Sequence, residues 1–313
     1  PALRDLQVWQ KLAWVDPDIA AADPRVRALH AKGQAFDEHD KAALRAVELG
    51  VLRRIVPTYR EAAAAGCVEL SCSPYFHPIL PLLCDSAAHH DAHPGAPLPD
   101  PPFRWPEDAD AQLARAVEAH TRWFGTRPVG VWPSEGSVSD AAAAAIAKAG
   151  FRWMATDEDI LRRSRARAGL PSAEHLKFRT HEVSTAAGPV RAAFRDHGLS
   201  DAIGFTYQRW PATAAVDDFV AKVRAIGAHC RAVDGGPATV FVILDGENAW
   251  EHYEGGGRPF LRTLYQRLVH EPDLEPVTMG TATDVAGGEV APLPRLFAGS
   301  WIHGDFGIWI GHA

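Results

Sequence analysis

The sequence predicts a parallel β/α fold, and three observations carry that expectation. Short apolar runs alternate with helical patterns along the chain. The runs around Val131 and Val240–Leu244 are apolar on both faces, as parallel strands covered by helices should be. Polar residues collect just after the runs, which is where a β/α barrel builds its site. Glu69 to His77 lies at or after the first run, Glu135 after the second and Asp157 after the third. Arg195 and Asp196 follow the fourth, and Asp245 and Glu247 the fifth.

Taken in order, residues 37–65 read as a helix, with Leu44, Val47, Leu52 and Ile55 on one face and Pro57 expected to kink or break it. Residues 67–71 give the first strand. The stretch 86–106 carries six prolines and is expected to be irregular. Pro106–Phe124 is a helix with proline at its start and Gly125 past its end. Strands are expected at 129–132, 151–155, 190–194, 239–244 and 276–279. Helices are expected at 139–149, 216–233 and 259–270. The stretches 167–188, 255–257 and 287–294 read as irregular.

The 313 residues are 47% hydrophobic and 23% charged, which is globular composition. A net charge of −7 argues against a nucleic-acid partner, and no apolar run approaches a membrane span. The four cysteines form no C-x-x-C pair and read as free thiols of a reducing, cytoplasmic compartment. No signal segment follows Pro1. His89 and His93 share an H-x-x-x-H spacing, but they lie in the proline-rich stretch and read as a polar surface loop. No metal and no cofactor are expected.

Two carboxylates stand out, Glu135 in Trp132-Pro133-Ser134-Glu135-Gly136-Ser137 and Asp245 in Leu244-Asp245-Gly246-Glu247-Asn248. Each follows an apolar run and sits beside glycine, which lets a ligand approach the backbone. Two carboxylates facing across a cleft are the apparatus of glycoside hydrolysis; capping of the next helix is the plainer alternative. Of the ten tryptophans, Trp132, Trp250 and Trp301 stand near candidate residues and suit stacking on sugar rings. Trp9, Trp14, Trp153 and Trp309 read as core.

These segments resemble glycoside hydrolase family 57. Glu69-Leu70-Ser71 with Ser73-Pro74-Tyr75-Phe76-His77-Pro78-Ile79-Leu80-Pro81-Leu82 is similar to its second signature. The segment around Glu135 is similar to the third, and Val242 to Glu251 to the fourth. Ala298 to His312 is similar to the fifth, and Phe194-Arg195-Asp196-His197 to a further segment of starch-active members. The resemblance implies an incomplete, seven-stranded β/α barrel acting on α-glucans with retention. It implies Glu135 as nucleophile and Asp245 as acid/base. It places His77 against the sugar beside the scissile bond. Trp132, Arg195, Asp196, Glu247, Trp250 and Trp301 are expected as further substrate-binding residues. Retention requires carboxyls about 5–5.5 Å apart. Glucanotransferase or branching activity uses the same intermediate and stays open, as does an inactive glucan-binding fragment. Oligomeric state is not legible.

The family's first signature, a strand ending in a His-Gln-Pro type sequence, is missing. Residues 1–313 therefore read as one barrel domain cut from a longer protein. The missing strand should leave a gap between 67–71 and 276–279 that weakens turnover. Asp245 and Glu247, two apart, should share a strand face and tune each other's ionisation if the strand persists.

Overall fold

The computed structural model describes residues 2–171, 173–247, 250–284 and 290–311. The chain forms two compact units, Pro1–Cys67 and Val68–Ala313.

The first unit is helical. It contains α1 (Ala2–Leu12), α2 (Pro17–Ala22), α3 (Pro24–Lys32) and α4 (Glu38–Ala64). Val8, Leu12, Val26, Leu29, Phe36, Leu44 and Val47 form its core. Asp37 caps α4 in a reciprocal capping box with Asp40. Of the two outcomes expected at Pro57, a break does not occur: α4 continues through it. Pro57 is exposed, so the carbonyl that loses its intrahelical partner can face water. Trp14, expected in the core, is 79% exposed.

The second unit carries the sheet. Its described α-helices are α5 (Leu80–Cys84), α6 (Pro106–Phe124), α7 (Asp140–Lys148), α8 (Glu158–Arg167), α9 (His197–Asp201), α10 (Ala212–Asp234), α11 (Arg258–His270), α12 (Met279–Asp284) and α13 (Gly307–Ile310). The strands are β1 (Gly130–Val131), β2 (Trp153–Asp157), β3 (His181–Val183), β4 (Val190–Arg195) and β5 (Ala291–Leu293), in spatial order β1-β2-β4-β3-β5. The β1–β2, β2–β4 and β3–β5 pairs are parallel, and β3 runs antiparallel to β4. An isolated parallel bridge from Cys72 to Val131 extends the edge beyond β1.

Side-chain alternation sorts the two faces of the sheet. Met154 of β2 lies opposite Ala192 of β4, and both pack with Val131, Phe194, Leu113 and Ile146 under α6 and α7. Ala155 lies opposite Ala193, and both pack with Trp153, Phe241, Ile243 and Met279 on the other face. Asp157 and Arg195, opposite each other at the strand ends, continue that second face by the period of two. So one face is apolar at its N-terminal end and charged at its C-terminal end.

Trp153 fills the apolar end. A Cβ on Gly130 would meet its ring at 1.8 Å, so no larger residue fits there without a shift. The indole Nε1 donates to Glu69 Oε1 at 2.8 Å, and Glu69 Oε2 accepts from Gly280 N at 2.6 Å. Glu69 thus ties the segment before β1 to α12. These are the two segments expected to flank a gap, and they meet directly through this carboxylate. The expected strand 276–279 is instead the approach to α12, and 67–71 gives way to the bridge at Cys72.

The apolar segment 239–244 is no strand either, although Phe241 is buried on the second face. Its polar groups bond to the chain beyond β4 instead of to a ladder. Asp196 N donates to Phe241 O at 2.9 Å, Arg195 Nε donates to Ile243 O at 2.8 Å, and Ile243 N donates to Ser200 Oγ at 3.1 Å. Strands β3 and β5 lie in stretches expected to be irregular. Three residues each, with a buried histidine in one and a proline in the other, give no alternation to read.

Candidate active site

Glu135 sits on a single 3-10 turn, Ser134–Gly136, directly after β1, with φ 57° and ψ 26°. A left-handed backbone is costly for a non-glycine residue and persists where the surroundings impose it. The described residues include three others of this kind, Ala35, His77 and His303. His77 and Glu135 touch: His77 Nε2 lies 3.2 Å from Glu135 Oε1. Trp301 Nε1 donates to the other oxygen, Oε2, at 2.8 Å, and Trp301 N donates to the Glu135 carbonyl at 3.1 Å. The two strained residues therefore face each other, and Trp301 fixes the carboxylate from the second side.

Trp132 packs edge-on against Trp301, with ring centroids 5.2 Å apart. Gly136 makes this approach possible. Its φ is +58°, and a Cβ there would lie 3.0 Å from the Trp132 ring and 3.4 Å from Trp301 Cβ.

The Arg195 guanidinium lies 5.7 Å from the Trp301 ring centroid. Arg195 is buried and held from three sides: by Ile243 O at Nε, by Asp157 Oδ2 at 3.7 Å from Nη1, and by Asp201 at Nη2. Asp245 lies two residues beyond Ile243, so the segment carrying the second carboxylate is anchored to the residue that overlies Trp301. His77, Trp132, Glu135, Arg195 and Trp301 are thus linked by direct contacts at the C-terminal end of the sheet.

Other expected site residues lie elsewhere or do other work. Asp196 accepts from Leu199 N at 2.8 Å as the cap of α9, and its second oxygen pairs with Lys177 Nζ at 3.0 Å. Trp250 packs on Tyr253 and Phe260 in the core between α10 and α11. Glu247 is exposed on a turn with Gly246. No strand runs through Asp245, and Glu247 lies on the turn beyond it, so the two acids do not share a strand face. Asn248 and Ala249 of the same motif fall outside the described residues.

Asp157 and His197 carry more of the site than the sequence reading assigned them. Asp157 is buried, caps α8 through Asp159 N at 2.9 Å, and accepts from His197 Nε2 at 2.5 Å. That hydrogen bond raises the His197 pKa above its usual value, and the charges of Asp157 and Glu158 add to it. A raised pKa stabilises the fold fully below the unfolded value of about 6.5 and loses that contribution as pH climbs through the folded value. The melting temperature of the wild type should therefore decline more from pH 6 to 8 than that of His197→Asn. Parallel melting curves check this.

Asp157, Asp159 and His197 offer ligand atoms within 4.8 Å of one another, the one such group found among the described residues. Arg195 and His197 already match the Asp157 charge there. His89 and His93, expected on an exposed loop, pack with ring centroids 4.8 Å apart and planes tilted by 36°; His89 is buried and His93 Nε2 lies 3.1 Å from Asp305 Oδ2. No helix among the described residues is long and apolar enough to cross a membrane.

Glu135 is thus a left-handed carboxylate held between a histidine and a tryptophan at the end of an α/β sheet. Residues 39–291 match the family model for glycosyl hydrolase family 57, and the chain belongs to that family. Solved structures agree on the fold. A branching enzyme of the family from Pyrococcus horikoshii superposes with TM-score 0.67 at 16% identity, over 98% of this chain and 61% of its own. The α-amylase AmyC from Thermotoga maritima gives 0.63 at 15% identity, over 95% and 62%. A 4-α-glucanotransferase from Thermococcus litoralis gives 0.55 at 15% identity, over 82% and 34%. The chain thus spans about three-fifths of the first two and has their incomplete β/α-barrel fold. No curated protein sequence matches it significantly.

Proposed function

We propose that this chain is the catalytic barrel of a retaining glycoside hydrolase acting on α-glucans. The observation that carries the reading is Glu135: strained, partly exposed, and held at both oxygens by His77 and Trp301. A left-handed backbone at a non-glycine residue costs about 1–3 kcal/mol, and such strain gathers at active sites, where it holds a reacting group in place. The amylase, branching enzyme and glucanotransferase among the structural relatives support α-glucan as substrate class.

In the first step a Glu135 oxygen attacks the anomeric carbon as the glycosidic bond breaks. Asp245 gives its proton to the leaving oxygen. In the second, Asp245 takes a proton from water, the water oxygen attacks the same carbon, and Glu135 is released. Trp301 supplies an N–H to the oxygen that does not attack, and Trp132 offers its face to the sugar. Arg195 acts through Trp301 as a positioning residue, since its donors are already engaged by protein groups.

A sugar hydroxyl in place of water turns the second step into transfer. Incubation with maltoheptaose separates the two: hydrolysis yields shorter products alone, whereas chains longer than the substrate would replace the hydrolase reading with a transferase one. No change of any kind in the substrate would remove both.

A further inference from the structure

We propose that Tyr75, Phe76 and Arg115 form an outer sugar-binding platform that continues the candidate active site along the glucan chain. Phe76 is 67% exposed and Tyr75 45% exposed, side by side, with ring centroids 4.7 Å apart at 80°. The Arg115 guanidinium lies 5.8 Å from both ring centroids. With Glu118 and Arg122 these groups line a groove of about 190 Å³, room for one hexose unit.

The platform is built, not incidental. Gln112 of α6 pins the loop twice: its side-chain Oε1 accepts from Phe76 N at 2.8 Å and its carbonyl from Tyr75 N at 3.3 Å. A turn from His77 N to Pro74 O, 2.9 Å, closes the same loop. Binding there would not first have to order the rings. The chemistry fits a glucan. Aromatic faces accept the apolar face of a hexose, while a guanidinium and a carboxylate in the same groove serve its hydroxyls.

Position identifies the occupant. Phe76 immediately precedes His77, about 3.8 Å along the backbone, and His77 touches Glu135. On this proposal a chain bound at Glu135 and longer than the site itself runs on past His77 into this groove. The inference rests on the α-glucan reading above and adds a preference for longer chains.

Electrophoresis through native gels containing glycogen tests it. The wild type is expected to be retarded, and Phe76→Ala and Arg115→Ala to bind about fivefold or more weakly. Phe76→Trp, which keeps an aromatic face, should retain binding. Melting temperatures should stay unchanged, because the side chain removed at Phe76 is exposed. Retardation of both alanine variants equal to wild type, or loss in Phe76→Trp as well, overturns the platform and leaves the α-glucan reading standing. A wild type that glycogen does not retard overturns both.

Discussion

Glu135→Gly is expected to lower turnover of maltooligosaccharides by about 10³-fold or more, with little loss of stability. The two halves of this expectation have separate causes. The carboxylate is the group that forms the glycosyl bond, so its removal abolishes the first step. Glycine accepts the left-handed backbone that glutamate adopts at φ 57°. Relief of that strain offsets the hydrogen bonds lost with His77 and Trp301, so the melting temperature should move by a few degrees at most. The space left also admits a small anion. Azide should restore part of the activity of Glu135→Gly and give the glycosyl azide of inverted anomeric configuration. A variant that unfolds, or one that keeps its turnover, would show that the strain at Glu135 serves packing.

Asp245→Asn is expected to behave differently on two substrates. Protonation of a poor leaving group is worth about 10²–10⁴-fold, so cleavage of maltooligosaccharides should fall by that factor. An α-glucosyl fluoride releases fluoride without a proton, so its turnover should fall far less. Equal losses on both substrates would assign Asp245 to binding or to the fold. Glu247 gives the contrast. It is exposed on the turn beyond Asp245, so Glu247→Gln should leave the ratio between the two substrates as it is.

The sequence exposes those features whose cause is local. Pro106 and Gly125 bound α6 as expected, because proline fixes the first turn and Gly125 takes the left-handed cap at φ 80°. Ser139 caps α7 for the same kind of reason. Strands β2 and β4 overlap the apolar runs read for them, β2 set two residues further along, and Glu135 lies just beyond β1, after the second run as expected. What stays hidden depends on partners far along the chain. Nothing in Trp250 itself distinguishes a sugar platform from the ring that packs on Tyr253 and Phe260. Arg195 and Asp196 are neighbours with opposite fates. One ends the face shared with Asp157, and the other turns away to cap α9. The segment 239–244 has the composition of a strand, yet the chain beside it turns into α9, so isolated backbone bonds and the side chains of Arg195 and Ser200 take the place of a ladder. The contact between His77 and Glu135 joins residues 58 positions apart and rests on two left-handed backbones that residue type does not announce. Asp157 was visible as a charge at a strand end; the alternation of β2 was the signal that it shares a face with Arg195.

Covalent labelling tests the central claim most directly. A fluorinated α-glucosyl fluoride that forms the intermediate but releases it slowly should add one glycosyl group to the protein. Peptide mass spectrometry should place that group on the peptide containing Glu135 and on its carboxylate. A label on Asp245 or on any other carboxylate, or turnover through an inverted product with no label at all, would contradict the assignment of Glu135 as the nucleophile.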